Sequence, residues 1–455
     1  MAGPAAGGAD AGGEGDPPVG RADSGEALQN VGGLFRSLRN YNFRLFAAGG
    51  VISNVGTWMQ RTAQDWLVLD LTRGSGSALG ITVALQFLPV LLFGLWGGMI
   101  ADRYPKRRVL IVAQSLMGLL ALVMGVLVLS GTAQVWHVYV MAFLLGCVSC
   151  VEVPTRQSFV VEMVGRKDLP NAIALNSSSF NLARVVGPAV AGLLIHWLGT
   201  GPIYMLNAVS FAAVIAGLAM MRTAELHTPE PVKRAKGQLR EGFRYVRRRP
   251  ALLLPILVVG FMAIFMQSFS ASIALMAREV FKAGASSFGI ASSAFAIGAL
   301  GGALLAARRV APSRRFLLIG AICFGTFQIA AAIAPAYPAF LAVLLPAGMA
   351  MISVNTTANT MVQLGASPHM RGRVTGIYVL VLTGGAPIGA PLVGWLTELI
   401  GIRAAVATAG SLSVAGVGLA LLLTRLIAGK TEGERKESAG EPVVRGPATA
   451  AEGAG

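Results

Sequence analysis

The sequence predicts an all-α integral membrane protein in which twelve transmembrane helices form two six-helix pseudo-repeat bundles. Three observations lead there. Of 455 residues, 54% are hydrophobic and only 13% are charged, a balance that water-soluble globular domains do not approach. Apolar stretches of about 20 residues, enough to cross a hydrocarbon core of roughly 30 Å, recur from Phe43 to Leu423. The halves also match at an offset of 202, which lays Thr155, Val160, Gly187, Gly192, Leu194 and Gly199 over Thr357, Val362, Gly389, Gly394, Leu396 and Gly401.

Residues 1–33 are rich in Gly, Ala and acidic side chains and lack a basic start before an apolar core, so they are expected to be a disordered tail and not a signal peptide. Leu34 to Arg39 reads as a short amphipathic elbow on the inner surface. Helices are predicted at 43–69, 77–101, 107–129, 137–163, 172–198 and 203–221, forming a first bundle over 34–221. Six more, at 251–277, 287–306, 315–334, 338–363, 374–399 and 404–425, form a second over 251–425. The breaks coincide with turn chemistry such as Gly74-Ser75-Gly76, Ser130-Gly131, Gly199-Thr200-Gly201-Pro202, Pro335-Ala336-Tyr337-Pro338 and Gly401. The polar stretch 222–250 separates the bundles, and residues 426–455 are expected to be a disordered tail.

Basic residues cluster in alternate loops: Arg103 to Arg108, Arg166-Lys167, Arg308 to Arg315, and Arg371 to Arg373. That asymmetry places those loops, both termini and the central stretch on the cytoplasmic side of an inner membrane. Leu239 to Arg249 reads as a surface helix against anionic membrane lipid. The net charge of +16 does not imply a nucleic-acid partner, because the Lys and Arg residues sit in short loops with no continuous basic face. Cys147, Cys150 and Cys323 lie in apolar segments, so Cys147-x-x-Cys150 reads as helix packing. The four histidines have no ligand spacing, so no metal or other cofactor is expected. No G-x-x-x-x-G-K-[ST] occurs, which excludes ATP hydrolysis by this chain and reads as a protein that is not an enzyme.

Between the second and third helices lies Gly97-Gly98-Met99-Ile100-Ala101-Asp102-Arg103-Tyr104-Pro105-Lys106-Arg107-Arg108-Val109-Leu110. It resembles the major facilitator signature G-x-L-A-D-R-x-G-R-K-x-x-L. Gly98 lets helices approach, Asp102 can cap or pair across the bundle, and Arg103 and Arg107 hold the loop inside. Pro105 departs from the signature's glycine, so the turn is built differently. Gly301 to Arg309 is a degraded echo without the acid. Arg184-Val185-Val186-Gly187-Pro188-Ala189-Val190-Ala191-Gly192 resembles the G-P-x-x-G-G element of exporters, with Ala191 in place of one glycine; a proline kink with small-residue packing is the competing reading. Ser53 to Arg61, Pro154 to Gln157, Asn176 to Pro188 and Arg371 to Val374 add to this. Together they resemble exporters of the enterobactin-exporter and macrolide-efflux type over residues 35–425. One antiporter arginine of the fourth helix is missing, Ala142 standing in its place.

Charges at membrane depth cost about 2.5 kcal/mol or more each unless paired or hydrated, so they mark function or a structural ion network. Asn54, Trp58, Arg61 and Asp65 follow spacings of 4, 3 and 4 on one helix face, Glu152 and Arg156 share another, and Arg184 sits mid-helix. Asp65, Glu152, Arg61, Arg156 and Arg184 are the candidates for proton coupling, with Glu152 expected to pair with Arg184 and Arg156 as the rival. Asn54, Trp58, Gln86, Asn181, Gln267, Asn355, Asn359 and Tyr378 are candidates for the substrate cavity. Gly98, Asp102, Arg103, Arg107, Gly187, Pro188 and Gly192 are assigned to conformational change.

The resemblance implies a monomer that exports small amphipathic organic compounds in exchange for protons, its partners being a small-molecule substrate, protons and lipid. An uptake symporter is the alternative, and a membrane-embedded sensor is a more distant one.

Overall fold

The computed structural model describes residues 33, 35–227, 238–307 and 312–438. The tail 1–32, Leu34 of the expected elbow, the stretches 228–237 and 308–311, and the tail 439–455 lie outside the described residues. Helices follow one another as α1 (Tyr41–Leu71), α2 (Gly76–Arg103), α3 (Lys106–Leu129), α4 (Val135–Gly165), α5 (Lys167–Leu198) and α6 (Gly201–Ala219). After α7 (Gln238–Arg247) come α8 (Pro250–Leu275), α9 (Ala285–Ala307), α10 (Arg314–Ile333), α11 (Tyr337–Gly365), α12 (Arg371–Ile400) and α13 (Ile402–Ser438). No strand occurs among the described residues.

Eleven of these helices are long and apolar enough to cross a membrane. α1 is long enough at 31 residues, but Asn54, Arg61 and Asp65 dilute its hydropathy. Local chemistry sets the boundaries. The Asn40 side chain accepts from the Phe43 N–H, and Ser75 Oγ accepts from the Ala78 N–H, satisfying donors at two helix starts. α4 and α5 meet almost without a loop, where a gap over 164–171 was expected. Gly165, at φ +66°, breaks the helix in one residue, and Pro170 is tolerated in the first turns of α5. α13 runs to Ser438, beyond the expected end at 425, and its Lys, Arg and Glu residues favour continued helix.

The elbow is a 3₁₀ turn, Arg36–Arg39, held on the start of α5. Ser37 is buried and donates from Oγ to Asn171 at 2.7 Å, and Arg36 pairs with Asp168 at 2.6 Å. α7 forms in the central stretch and docks on α12: Gly242 lies against Ile377, and Arg373 pairs with Glu241 at 2.5 Å. The Tyr245 hydroxyl donates to Ser367 Oγ at 3.0 Å and accepts from the Ser367 N–H, which draws its pKa below the ordinary phenol range.

The repeat seen at an offset of 202 has a packing counterpart. A Cβ on Gly187 of α5 would fall 2.5 Å from Trp58 Cβ on α1, and one on Gly389 of α12 would strike the Ile264 carbonyl on α8. Gly192 of α5 packs on Ala285 and Gly289 of α9, and Gly394 of α12 packs on Gly76 of α2. Within each pair the two crossings are equivalent under the repeat, so α5 and α12 are equivalent helices. The second pair joins the two halves. Small residues at these crossings let backbones meet, which is how helices associate where lipid provides no hydrophobic drive.

Those crossings lie toward the weakly basic end, and polar contacts reinforce them there. Arg278 at the end of the helix continuing α8 donates to Asp70 Oδ1 at 2.6 Å, and Ser75 Oγ donates to Glu398 Oε1 at 2.6 Å. The Ser77 N–H reaches the same carboxylate at 3.1 Å. The halves are therefore tied together at that end.

Candidate functional site

The polar face of α1 turns inward and borders two adjoining cavities that share Arg61. Both halves wall the smaller, about 150 Å³, with Trp58, Arg61 and Asp65 of α1, Gln86 of α2, Arg184 of α5 and Gln267 of α8. The larger, about 460 Å³, is walled by the N-terminal half and contains Asn54, Gln114, Glu152, Arg156 and Asn181.

Trp58 organises the smaller cavity. The guanidinium carbon of Arg61 is 5.1 Å from its ring centroid, and that of Arg184 is 5.8 Å away. Phe180 meets the ring edge-to-face at 5.7 Å. The indole Nε1 is buried without a hydrogen-bond partner. Arg61 is the charge acting on Asp65, one helical turn along α1.

The expected Glu152–Arg184 pair is not formed. Arg156 Nε lies 3.1 Å from Glu152 Oε1, and Gln114 Nε2 donates to the same oxygen at 3.4 Å. A spacing of four residues puts Glu152 and Arg156 on one face of α4 within direct reach. Arg184 is engaged by the face of Trp58 instead.

Five of the eight cavity candidates line these two cavities. Trp58, Gln86 and Gln267 line the smaller cavity, and Asn54 and Asn181 line the larger. Asn54 donates to Ser179 Oγ at 3.2 Å, and Asn181 donates to the Ser177 carbonyl at 2.8 Å. Asn355, Asn359 and Tyr378 line neither. The Tyr378 hydroxyl donates to Asn355, joining α11 to α12, and Asn359 Oδ1 accepts from Gln363 at 3.0 Å. Asn355 thus ties α11 to α12, and Asn359 is engaged within α11.

At the basic end, Gly97 packs against the Cys150 backbone carbonyl where a Cβ could not fit. Gly98 beside it is half-buried, and Asp102 and Arg103 are exposed at the end of α2. Arg107 donates to the carbonyls of Leu218 and Ala219 at 2.6 and 2.8 Å, closing the C-terminus of α6. Pro188 sits at the close approach of α5 to Gly289.

Some ionic groups gave no sequence signal. Lys106 pairs with buried Glu162 at 2.6 Å, a pair 56 residues apart in sequence. Asp70 and Arg278 are 208 residues apart, as are no residues that local periodicity can relate. The α1–α6 contact of Asn207 with Gln60, at 2.6 Å, was equally silent.

A family model described as transmembrane secretion effector matches residues 33–453. The Multidrug efflux pump Tap of Mycobacterium tuberculosis is 27% identical over 383 residues, covering 79% of this chain and 87% of that one. The Macrolide efflux protein A of Streptococcus pyogenes is 24% identical over 352 residues, covering 74% and 85%. The Staphyloferrin A transporter of Staphylococcus aureus is 23% identical over 367 residues, covering 79% and 90%. Among solved structures, a POT family transporter in complex with a thioalcohol-conjugated peptide shares the fold with a TM-score of 0.68 at 10% identity, over 85% of this chain and 96% of that one. A bacterial homolog of the human lysosomal transporter Spinster, inward-facing and unoccupied, gives 0.62 at 14% identity over 88% and 98%. Matched across most of its length and folded like these carriers, the chain is a multi-pass membrane transporter of the major facilitator superfamily and belongs to its transmembrane secretion effector family.

Proposed function

We propose that the protein exports small amphipathic organic compounds, drug-, antibiotic- or siderophore-like, from the cytoplasm in exchange for protons. The observation that carries this reading is the smaller cavity, a pocket shared by both halves that holds Asp65 beside Arg61 and lies between helices tied together at one end. A proton-coupled carrier needs a titratable group where substrate also binds, and a carboxylate in that wall meets the need. The names of the relatives, spanning several drugs, a macrolide and a siderophore, support a broad substrate range.

With α1 counted as the twelfth span and the basic loops placed inside, both termini are cytoplasmic, the host membrane is the inner membrane and the working unit is a monomer. The tied end then faces outward. Export requires the Gly76–Gly394 and Gly192–Gly289 crossings to part while the basic end closes, an exchange between two packings. A proton reaching Asp65 from outside weakens its hold on Arg61, and the Glu152–Arg156 pair provides a second titratable group on the path from the cytoplasm. Asp102 latches the basic end.

Uptake of a fluorescent amphiphile into everted membrane vesicles tests this. A lumen-acid proton gradient, directed out of the everted vesicle, is expected to drive accumulation that collapses with an uncoupler. Accumulation only under the opposite gradient would instead identify an uptake symporter.

A further inference from the structure

The smaller cavity is unbalanced both in charge and in hydrogen bonding. It contains two guanidinium groups, Arg61 and Arg184, against the single carboxylate of Asp65. Of the other buried carboxylates of the N-terminal half, Glu152 belongs to the larger cavity and is held by Arg156, and Glu162 is held by Lys106. The C-terminal half contributes Gln267, Ser270, Phe288 and Ser292 to the wall, and none of its residues there is acidic. Among the described residues, neither Arg61 nor Arg184 forms a hydrogen bond or an ion pair within 4 Å; both rest against the Trp58 ring. The Trp58 N–H, buried and unpartnered, is a third unused donor.

Two like charges flanking one indole at membrane depth repel each other, and each is costly there without compensation. Guanidinium and indole groups donate and cannot accept, so another protein-like donor cannot satisfy them. An anion with several acceptor oxygens can, and a planar carboxylate matches a guanidinium in two parallel hydrogen bonds.

We propose that this cavity binds the carboxylate of an aromatic or otherwise amphiphilic organic anion, with Arg61 and Arg184 as its ligands and Trp58 as the apolar face beside them. The assignment rests on the export reading and narrows it: the exported class is organic acids, in preference to amines. Export of a monovalent anion in exchange for one proton moves two charges in the same direction, so an inside-negative potential alone drives the cycle.

The test uses three probes that share one ring and chain: 1-pyrenebutanoate, its neutral amide, and 1-pyrenebutylammonium. Binding to the full-length protein in nanodiscs is followed by energy transfer from tryptophan to pyrene. The carboxylate is expected to bind about tenfold tighter than the amide, the worth of one charge-assisted hydrogen bond, and tighter still than the amine. Arg184→Gln is expected to bring carboxylate and amide to the same affinity, and Arg184→Lys to keep part of the difference. Arg61→Lys, which leaves Asp65 with a cation, serves as the second variant should a neutral residue there prevent folding. Equal or tighter binding of the amine, failure of the carboxylate to bind, or an unchanged preference in Arg184→Gln would each overturn the assignment. Flux in proteoliposomes separates the two readings: a carboxylate bound selectively but never transported defeats export and leaves the anion site standing, whereas export of the amine and amide alone defeats the anion site and leaves export standing.

Discussion

Gly192 and Gly187 lie five residues apart on α5, and substituting each with alanine should separate alternating access from simple stability. An alanine Cβ at 192 would sit 2.6 Å from the Ala285 carbonyl and about as close to Gly289 as backbone allows, and those atoms belong to the other half. At 187 the clash is with Trp58 and Val55, in the same half. Overpacking of this kind costs about 1–3 kcal/mol. On the proposed export cycle this contact parts when the weakly basic end opens, so Gly192→Ala should charge that cost to one state and shift the balance toward opening by about 5- to 150-fold. Gly394→Ala, its repeat counterpart against Gly76, should do the same. Gly187→Ala burdens both states alike and lowers thermal stability without moving the equilibrium. Spin labels at Arg73→Cys and Lys282→Cys, in a background lacking Cys147, Cys150 and Cys323, report the distance between the halves, since Gly74 and Glu279 bring these loops together. A distance distribution unmoved by Gly192→Ala and Gly394→Ala, or moved equally by Gly187→Ala, would refute the reasoning.

Asp65→Asn and Glu152→Gln should each reduce export driven by a pH gradient, measured in proteoliposomes, and full export by the double variant would remove both carboxylates from the coupling. Asp102→Asn at the end of α2 should lower turnover sharply while leaving probe affinity in nanodiscs near the parent value; weakened binding with normal turnover would contradict a latch. Lys106→Met leaves Glu162 buried without its cation and should destabilise the protein by about 3 kcal/mol, read as a lower unfolding temperature. Adding Glu162→Gln should recover most of that loss, and a double variant no more stable than the single would show that the pair itself does not matter.

The helices and the polar face of α1 were legible because both are local. Hydropathy over about 20 residues locates a span, and spacings of four and three residues determine which side chains share a face whatever packs against them. The same logic made Arg156 a rival partner for Glu152, and it is the partner found. The weak repeat was legible too, since Gly187 and Gly192 repeat at Gly389 and Gly394 and all four turned out to lie at close crossings.

Only the tertiary structure decided which of these groups meet. Helix order along the chain does not give rotation about each helix axis, and that rotation turns Arg184 toward Trp58 and away from Glu152, and ties Tyr378 to Asn355 outside the cavity walls. Contacts between the halves, such as Asp70 with Arg278 and Ser75 with Glu398, join residues hundreds of positions apart and leave no periodic trace. The sequence by itself determined that this chain lives in a membrane as a helical bundle with charged groups inside it. The packing of the two halves decided that two of its arginines share one aromatic ring, because partners for a buried charge are chosen by distance in space and not by distance along the chain.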